Sequence, residues 1–123
     1  MSNHRPSSIK HAQKESVLLH EIAKLFMQIS ADEPDFHSIS VTRVRLSPDK
    51  SSCIVYFHGQ GGLAEFEEKR KKLVLYHASM RKALAASLDT RYVPRIRFMY
   101  DAQLDKQRHI DDLIDGLKDT GKL

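Results

Sequence analysis

Hydrophobic residues recur at helical spacing in two long stretches of this chain. Residues 15–29 predict a first helix, whose one-sided apolar stripe consists of Leu18, Leu19, Ile22, Leu25, Phe26 and Ile29. Residues 63–88 contain no glycine or proline and predict a second helical stretch. A straight helix of that length would extend ~39 Å, whereas a domain of this size has a radius of gyration of ~14 Å. We therefore expect a break or kink inside residues 63–88.

Shorter runs rich in β-branched and aromatic residues predict three strands, at residues 39–46, 52–58 and 95–100. The apolar positions of the first run change phase near Thr42 and Arg43, which predicts a β-bulge there. Ser-Pro-Asp-Lys at residues 47–50 has the composition of a tight turn, so the first two strands should form an antiparallel hairpin. Alternation in the third strand predicts an inner face of Ile96, Phe98 and Tyr100 and an outer face of Arg95, Arg97 and Met99.

The two ends of the chain differ from this central part. Residues 1–9 are polar and should form a flexible N-terminus. After Asp101, a predicted N-cap, a short amphipathic helix is predicted by the spacing of Leu104, Gln107, Ile110, Leu113, Ile114 and Leu117. We therefore divide the chain into a flexible segment at 1–9, one domain at 10–101, and a short helix with a frayed acidic tail at 102–123.

Composition narrows the class of protein. The 123 residues, 41% hydrophobic and 29% charged, are typical of one soluble globular domain. No apolar run approaches the ~18 residues of a membrane helix, and no apolar segment follows the polar N-terminus as it does in a secretory signal. The single cysteine, Cys53, excludes an internal disulfide and lies in an apolar run, where we expect a buried thiol. We expect a cytoplasmic protein with no membrane partner.

Charge is unevenly distributed along the chain. Residues 1–100 hold 16 basic and 10 acidic groups, a net charge of +6, whereas residues 101–123 hold 4 and 6, a net charge of −2. A basic body favours RNA, DNA or an acidic protein surface as partner. The strongest imbalance lies at the junction of the second helical stretch with the third strand, where Asp89 is accompanied by Arg81, Lys82, Arg91, Arg95 and Arg97. This cluster predicts polyanion binding, and an ordinary solvated surface is the alternative.

A second basic run, Lys69, Arg70, Lys71 and Lys72, follows Glu65, Glu67 and Glu68 on the second helical stretch. Some of these acids precede bases by four residues, a spacing at which oppositely charged side chains on a helix form ion pairs. Intrahelical pairing and contact with RNA are therefore the two interpretations of this run.

The order of elements is helix, strand, strand, broken helix, strand, helix, which is typical of a type II KH-like α+β fold with a three-stranded sheet covered by helices on one face. KH domains bind single-stranded nucleic acid through a Gly-x-x-Gly loop between two helices. Residues 59–62, Gly-Gln-Gly-Gly, match that pattern but follow a strand. We interpret them as an ordinary strand-to-helix loop that uses the conformational freedom of glycine.

The chain resembles the bacterial ribosome-binding factor A family over residues 16–117. The resemblance rests on Val-Thr-Arg-Val-Arg-Leu-Ser-Pro-Asp at residues 41–49, and on an ordered set made of Val55, Tyr56, Arg81, Leu84, Leu88, Arg91, Val93, Pro94, Phe98, Asp101 and Leu104. That family has a KH-like fold whose long helix is interrupted at an Ala-x-Gly sequence. The corresponding kink here falls on Tyr76, His77, Ala78 and Ser79, where alanine replaces the glycine. Two further departures are Ile54, where the family usually has a polar residue, and Arg95, where it often has an acid.

The resemblance implies a non-catalytic factor that binds the small ribosomal subunit and its rRNA late in assembly and assists maturation of the rRNA 5′ end. The predicted RNA-binding residues are Arg81, Lys82, Arg91, Arg95 and Arg97, then Arg43 and Arg45, and the run Lys69, Arg70, Lys71 and Lys72. A generic KH-like RNA-binding module and a basic protein-interaction adaptor are the alternatives.

The sequence lacks the common residue arrangements of enzyme active sites. The seven histidines show no zinc-site spacing, no Gly-x-x-x-x-Gly-Lys phosphate loop is present, and Asp111, Asp112 and Asp115 are typical of a solvated helix face. We therefore predict no enzyme activity, cofactor, metal or small-molecule substrate. We also predict a monomer, because the pattern shows no large unexplained apolar patch.

Overall fold

The computed structural model describes residues 4–88 and 92–119 of the chain. Within these ranges the helices and strands are α1 His4–Asp32, β1 Ile39–Leu46, β2 Ser52–Gly59, α2 Gly62–Leu73, α3 His77–Leu88, β3 Arg95–Tyr100 and α4 Ala102–Asp119. Short 3-10 turns at Pro34–Phe36 and Val74–Tyr76 follow α1 and separate α2 from α3. None of the helices in the described ranges is long and apolar enough to cross a membrane.

The three strands form one sheet in the order β1-β2-β3. The central strand β2 pairs antiparallel with β1 and parallel with β3. Helices α1, α2 and α3 contact this sheet on the face that carries the buried side chains. The predicted architecture, a three-stranded sheet covered by helices on one face, is confirmed.

The β1–β2 hairpin has the predicted irregularity. Its register shifts between Val41, opposite Phe57, and Arg43, opposite Tyr56, so Thr42 is the extra residue of a bulge. The shift restores the inward direction of the following apolar side chains, because each residue added to a strand turns the next side chain to the other face. Bulge and hairpin are therefore both confirmed.

Aromatic side chains from four elements meet in the core. The ring of Phe57 on β2 lies 5.1 Å from Phe26 of α1, 5.7 Å from Phe66 of α2 and 5.6 Å from Phe98 of β3, measured between centroids. These rings are almost completely buried, and the hydrophobic effect of that burial joins the helices to the sheet. Cys53 is also buried, which raises the pKa of its thiol to about 11 and keeps it neutral.

The ends of the chain depart from the predictions. α1 begins at His4, within the segment 1–9 that we expected to be flexible, and not near residue 15. Its early turns lack an apolar stripe, so periodicity gave no signal for them. Asp101 directly precedes α4 as predicted, but its carboxylate accepts hydrogen bonds from Thr42 and Arg43, so its predicted role as a side-chain N-cap was wrong.

α4 is held at its first turn and exposed beyond it. Asp105 Oδ1 lies 2.7 Å from His58 Nε2, and Asp105 Oδ2 accepts a 2.6 Å hydrogen bond from the Tyr100 hydroxyl. Further along, Ile110, Leu113 and Ile114 are exposed apolar side chains on this helix. The monomer prediction assumed that no such patch exists, so this stripe removes its basis.

The loop between β2 and α2 is the predicted strand-to-helix connection. β2 ends at Gly59 and α2 begins at Gly62. Gly62 has φ +74°, a conformation that glycine adopts without steric cost. A side chain at Gly59 would clash with the carbonyl oxygen of Ser38. Both glycines are therefore explained by local backbone geometry.

Candidate nucleic-acid interface

A cleft of about 590 Å³ lies at the turn end of the β1–β2 hairpin. Its walls are formed by Lys14, Asp49, Lys50, Ser51, Arg81, Tyr92, Val93 and Arg95. Its four cations come from four parts of the fold: α1, the hairpin turn, α3 and the start of β3. Within the part of the chain that the structure describes, one carboxylate faces them, so these residues give the basic cleft a surplus of positive charge that suits an anionic ligand.

The hairpin turn places Lys50 at this cleft. Asp49 Oδ1 accepts hydrogen bonds from Ser47 Oγ at 2.8 Å and from Ser51 through Oγ at 2.7 Å and N at 3.0 Å. These bonds, chiefly those from Ser51 and Ser47, lower the pKa of Asp49 to about 2. Lys50 itself has φ +63°, which the tight turn requires. The turn is thus a fixed structure, and its lysine belongs to the wall of the basic cleft.

Arg81 links two walls of the basic cleft. Its Nη2 donates a 3.3 Å hydrogen bond to the carbonyl oxygen of Val93, just before β3. Lys82, the next residue, is exposed on α3 but does not line the cleft. Arg91, also predicted to bind RNA, lies outside the described residues. The predicted basic cluster therefore contributes Arg81 and Arg95 to one concave site.

The sheet face opposite the helices is the second basic surface. Register places Arg45, Ile54 and Arg97 in one row across the three strands, and Arg43, Tyr56 and Met99 in the next. Arg95 is on the same face of β3 and also lines the basic cleft. We call the surface formed by the side chains of these two rows and Arg95 the open sheet face. It continues from the cleft, so the two surfaces form one basic region.

Arg43 is held on the open sheet face by two contacts. Its Nε lies 3.2 Å from Asp101 Oδ2, and its guanidinium carbon lies 3.9 Å from the centroid of the Tyr56 ring. The same Asp101 oxygen accepts a 2.7 Å hydrogen bond from the Thr42 hydroxyl. Arg43 therefore covers Tyr56, which is only 9% exposed and packs in the sheet.

The basic run on α2 has a different environment. Lys71 Nζ lies 3.3 Å from Glu68 Oε2 on the same helix, an intrahelical ion pair at a spacing of three residues and not the four that we expected. Lys72 instead crosses to the segment after α1, where its Nζ lies 2.6 Å from Glu33 Oε2 and 3.3 Å from Asp35 Oδ2. Hydrogen bonds with Glu33 and then Asp35 raise the pKa of Lys72. Lys69 and Arg70 remain as partly or fully exposed cations.

Sequence reasoning missed Lys14 and Lys50 as members of the basic cleft. Each is a single cation in a polar segment, and the two are far apart in the chain. The position of Lys50 in the predicted tight turn at residues 47–50 was the one local feature that could have pointed to it. Nothing local marks Lys14, because its position depends on how α1 packs against the sheet.

Comparison with known proteins identifies the family. The sequence model of the family described as ribosome-binding factor A matches residues 10–114. The chain belongs to the ribosome-binding factor A family. Ribosome-binding factor A of Alcanivorax borkumensis is 32% identical over 120 residues, which cover 94% of this chain and 85% of that protein.

Known three-dimensional structures of ribosome-binding factor A share the fold. The crystal structure from Thermus thermophilus matches with a TM-score of 0.63 at 24% identity, covering 73% of this chain and 93% of the other. A homology model of the Thermus thermophilus factor, fitted into a cryo-EM map of a 30S complex, matches with a TM-score of 0.54 at 26% identity, covering 68% and 87%. The predicted KH-like fold is thereby confirmed.

The chain interrupts its long helical stretch without a glycine. The 3-10 turn ends at Tyr76, and His77, Ala78 and Ser79 form the first turn of α3. Among the described residues, positive φ occurs at Lys50 and Gly62 and not at Ala78. The His77 ring stacks on Phe98 with centroids 4.6 Å apart, and burial, then the charges of Arg70 and Arg81, lower its pKa. A neutral aromatic contact thus anchors the helix just after the break.

Proposed function

We propose that this protein binds the small ribosomal subunit through its rRNA and acts as a late assembly factor. The observation that carries the proposal is the continuous basic region formed by the basic cleft and the open sheet face. Four cations surround one carboxylate in the cleft, and three further arginines lie on the adjoining sheet face. Phosphate contacts from lysine and arginine supply much of the affinity of RNA-binding proteins.

Membership of the ribosome-binding factor A family is the reason to propose ribosomal RNA as the ligand of this basic region. The Thermus thermophilus factor was fitted into the map of a 30S complex. By analogy, the present chain places its basic region against rRNA of the small subunit. The proposal includes assistance to maturation of the rRNA 5′ end, without catalysis by the protein itself, and a cytoplasmic location where ribosomes assemble.

The shape of the basic region favours a folded RNA as its ligand over a polyanion without defined structure. A concave cleft next to an arginine-bearing sheet face offers two different geometries to one ligand. A folded RNA can place a strand in the cleft and an adjoining backbone segment on the sheet. Folded RNA presents its phosphates in such irregular arrangements, and recognition of RNA depends strongly on shape.

The test is co-sedimentation of the purified protein with isolated small subunits, large subunits and whole ribosomes between 50 and 200 mM salt, a range over which phosphate contacts weaken strongly. We expect selective binding to small subunits, with a logarithmic salt slope of about −0.7 to −0.9 for each phosphate neutralised. Isolated small-subunit rRNA should compete.

Equal binding to large subunits would favour a generic KH-like RNA-binding module. Binding to small subunits that rRNA fails to compete would favour an adaptor that contacts a ribosomal protein. Either result would contradict the proposed function.

A further inference from the structure

We infer that Arg43 binds an RNA phosphate through its terminal nitrogens, and that Asp101 and Tyr56 position it for that contact. The inference rests on the proposed function and adds a ligand and a geometry to one residue of the open sheet face. It starts from the two contacts that hold the guanidinium.

These two contacts fix different properties of the side chain. The 3.2 Å contact between Nε and Asp101 Oδ2 sets the direction in which the guanidinium points. The position of the guanidinium carbon over the Tyr56 ring, 3.9 Å from the centroid, holds the group against the sheet. A side chain ordered in the free protein loses less conformational entropy on binding than a mobile one. Arg43 is therefore preorganised.

The contacts leave the terminal nitrogens of Arg43 available. The hydrogen bond uses Nε, and no other hydrogen bond of this side chain occurs within the described residues. The side chain is 37% exposed and lies on the sheet face that the helices do not cover. A guanidinium presents its terminal N–H groups as a planar fork, which matches the oxygens of a phosphate.

The hydrogen bonding of Asp101 supports this inference, because it involves one of the two carboxylate oxygens and not the other. The residue is 2% exposed, and its buried Oδ1 has no hydrogen-bond partner in the described part of the chain. A two-point fork with Arg43 would satisfy Oδ1 and would be the stronger pair, but it would consume a terminal nitrogen. In the observed geometry Thr42 and Arg43 Nε share Oδ2, and neither terminal nitrogen of Arg43 has a hydrogen-bond partner among the described residues. The arrangement leaves a buried oxygen unpaired and keeps the arginine ready to bind.

Arg45 provides a matched control on the same strand. It lies two residues along β1, and therefore on the same face, beside Ile54. Its side chain is exposed and has no ion pair or ring contact within the described residues. Both arginines carry the same charge on the same surface, and only Arg43 is held in a fixed orientation.

The experiment compares Arg43→Lys with Arg45→Lys in small-subunit binding at one salt concentration and across a salt series. Lysine keeps the charge but has neither the fork nor the planar stack. We expect Arg43→Lys to weaken binding about tenfold and Arg45→Lys less than about twofold, with the salt slope unchanged in both because the charge remains. Asp101→Asn should reproduce the loss of Arg43→Lys, because the positioning anion is gone.

Circular dichroism melting shows that each variant is folded at the assay temperature, so that loss of affinity is not loss of structure. If Asp101→Asn does not fold, the two lysine variants decide the question. Equal effects of the two lysine substitutions, or no effect of Arg43→Lys, would overturn the role of Arg43 while leaving the proposed function intact. Failure of the wild-type protein to bind small subunits would overturn the proposed function itself, and this inference with it.

Discussion

The basic cleft and the basic run of α2 contain four cations each and differ in what surrounds them. In the α2 run, Lys71 and Lys72 already have carboxylate partners. In the cleft, the cations come from four separate elements and converge on one concavity, where Asp49 is the single carboxylate among the described residues. The densest run of basic residues in the sequence is thus partly neutralised by ion pairs within the protein. The candidate site forms where the fold brings isolated charges together.

Charge reversal in the two regions should have the largest effect on binding and should separate them. Lys14→Glu with Arg81→Glu alters the basic cleft, and Lys69→Glu with Arg70→Glu makes the same change in net charge on α2. We expect the cleft variant to lose at least about 100-fold in affinity for small subunits, because charge reversal turns phosphate attraction into repulsion. The α2 variant should lose less than about tenfold, through long-range electrostatics alone.

Thermal melting of both double variants serves as the control for folding, since all four side chains lie on helix surfaces. A comparable loss of affinity in the two variants would show that overall charge, and not the concave site, determines binding. That outcome would contradict the distinction between the two regions.

Sequence reasoning predicted the sheet better than the site, for a physical reason. Strand positions follow from local alternation, and β3 was predicted with the bounds that the structure has. Arg81 and Arg95 were found because they lie close together in sequence. Lys14 and Lys50 join them only through the packing of α1 and the hairpin against the sheet, which no local pattern encodes. The preorganisation of Arg43 was also hidden, because it depends on Asp101, 58 residues away.

A moderate effect on stability is expected from Lys72→Met. The Lys72 ammonium joins α2 to the segment after α1 through Glu33 and Asp35, and the Tyr76 hydroxyl donates to the same Glu33 at 2.7 Å. Removing the cation leaves these two acids close together without a neutralising charge, so Tm should fall by a few degrees at low salt. The difference from wild type should shrink in about 1 M NaCl, where the Debye length is ~3 Å.

Lys71→Met is the matched substitution for this test. Its partner Glu68 lies one turn away on the same helix, and both side chains are largely exposed, so the pair should contribute almost nothing. Equal shifts in Tm for the two methionine variants would show that Lys72 does not connect the two segments.

The smallest effect concerns the hairpin turn that carries Lys50 into the basic cleft. Hydrogen bonds from Ser51 and Ser47 lower the pKa of Asp49 from 3.8 to about 2. Since the folded-state pKa is below the unfolded one, the ionised carboxylate stabilises the fold above about pH 4, and this contribution disappears as pH falls toward 2. Asp49→Ala should therefore lower Tm at pH 7, and the difference in Tm between this variant and the wild type should disappear between pH 4 and 2.

Ser51→Ala removes the largest cause of the pKa shift. In that background the difference in Tm that Asp49→Ala causes should disappear at a higher pH. A gap that stays constant down to pH 2 would mean that the charge of Asp49 does not stabilise the turn.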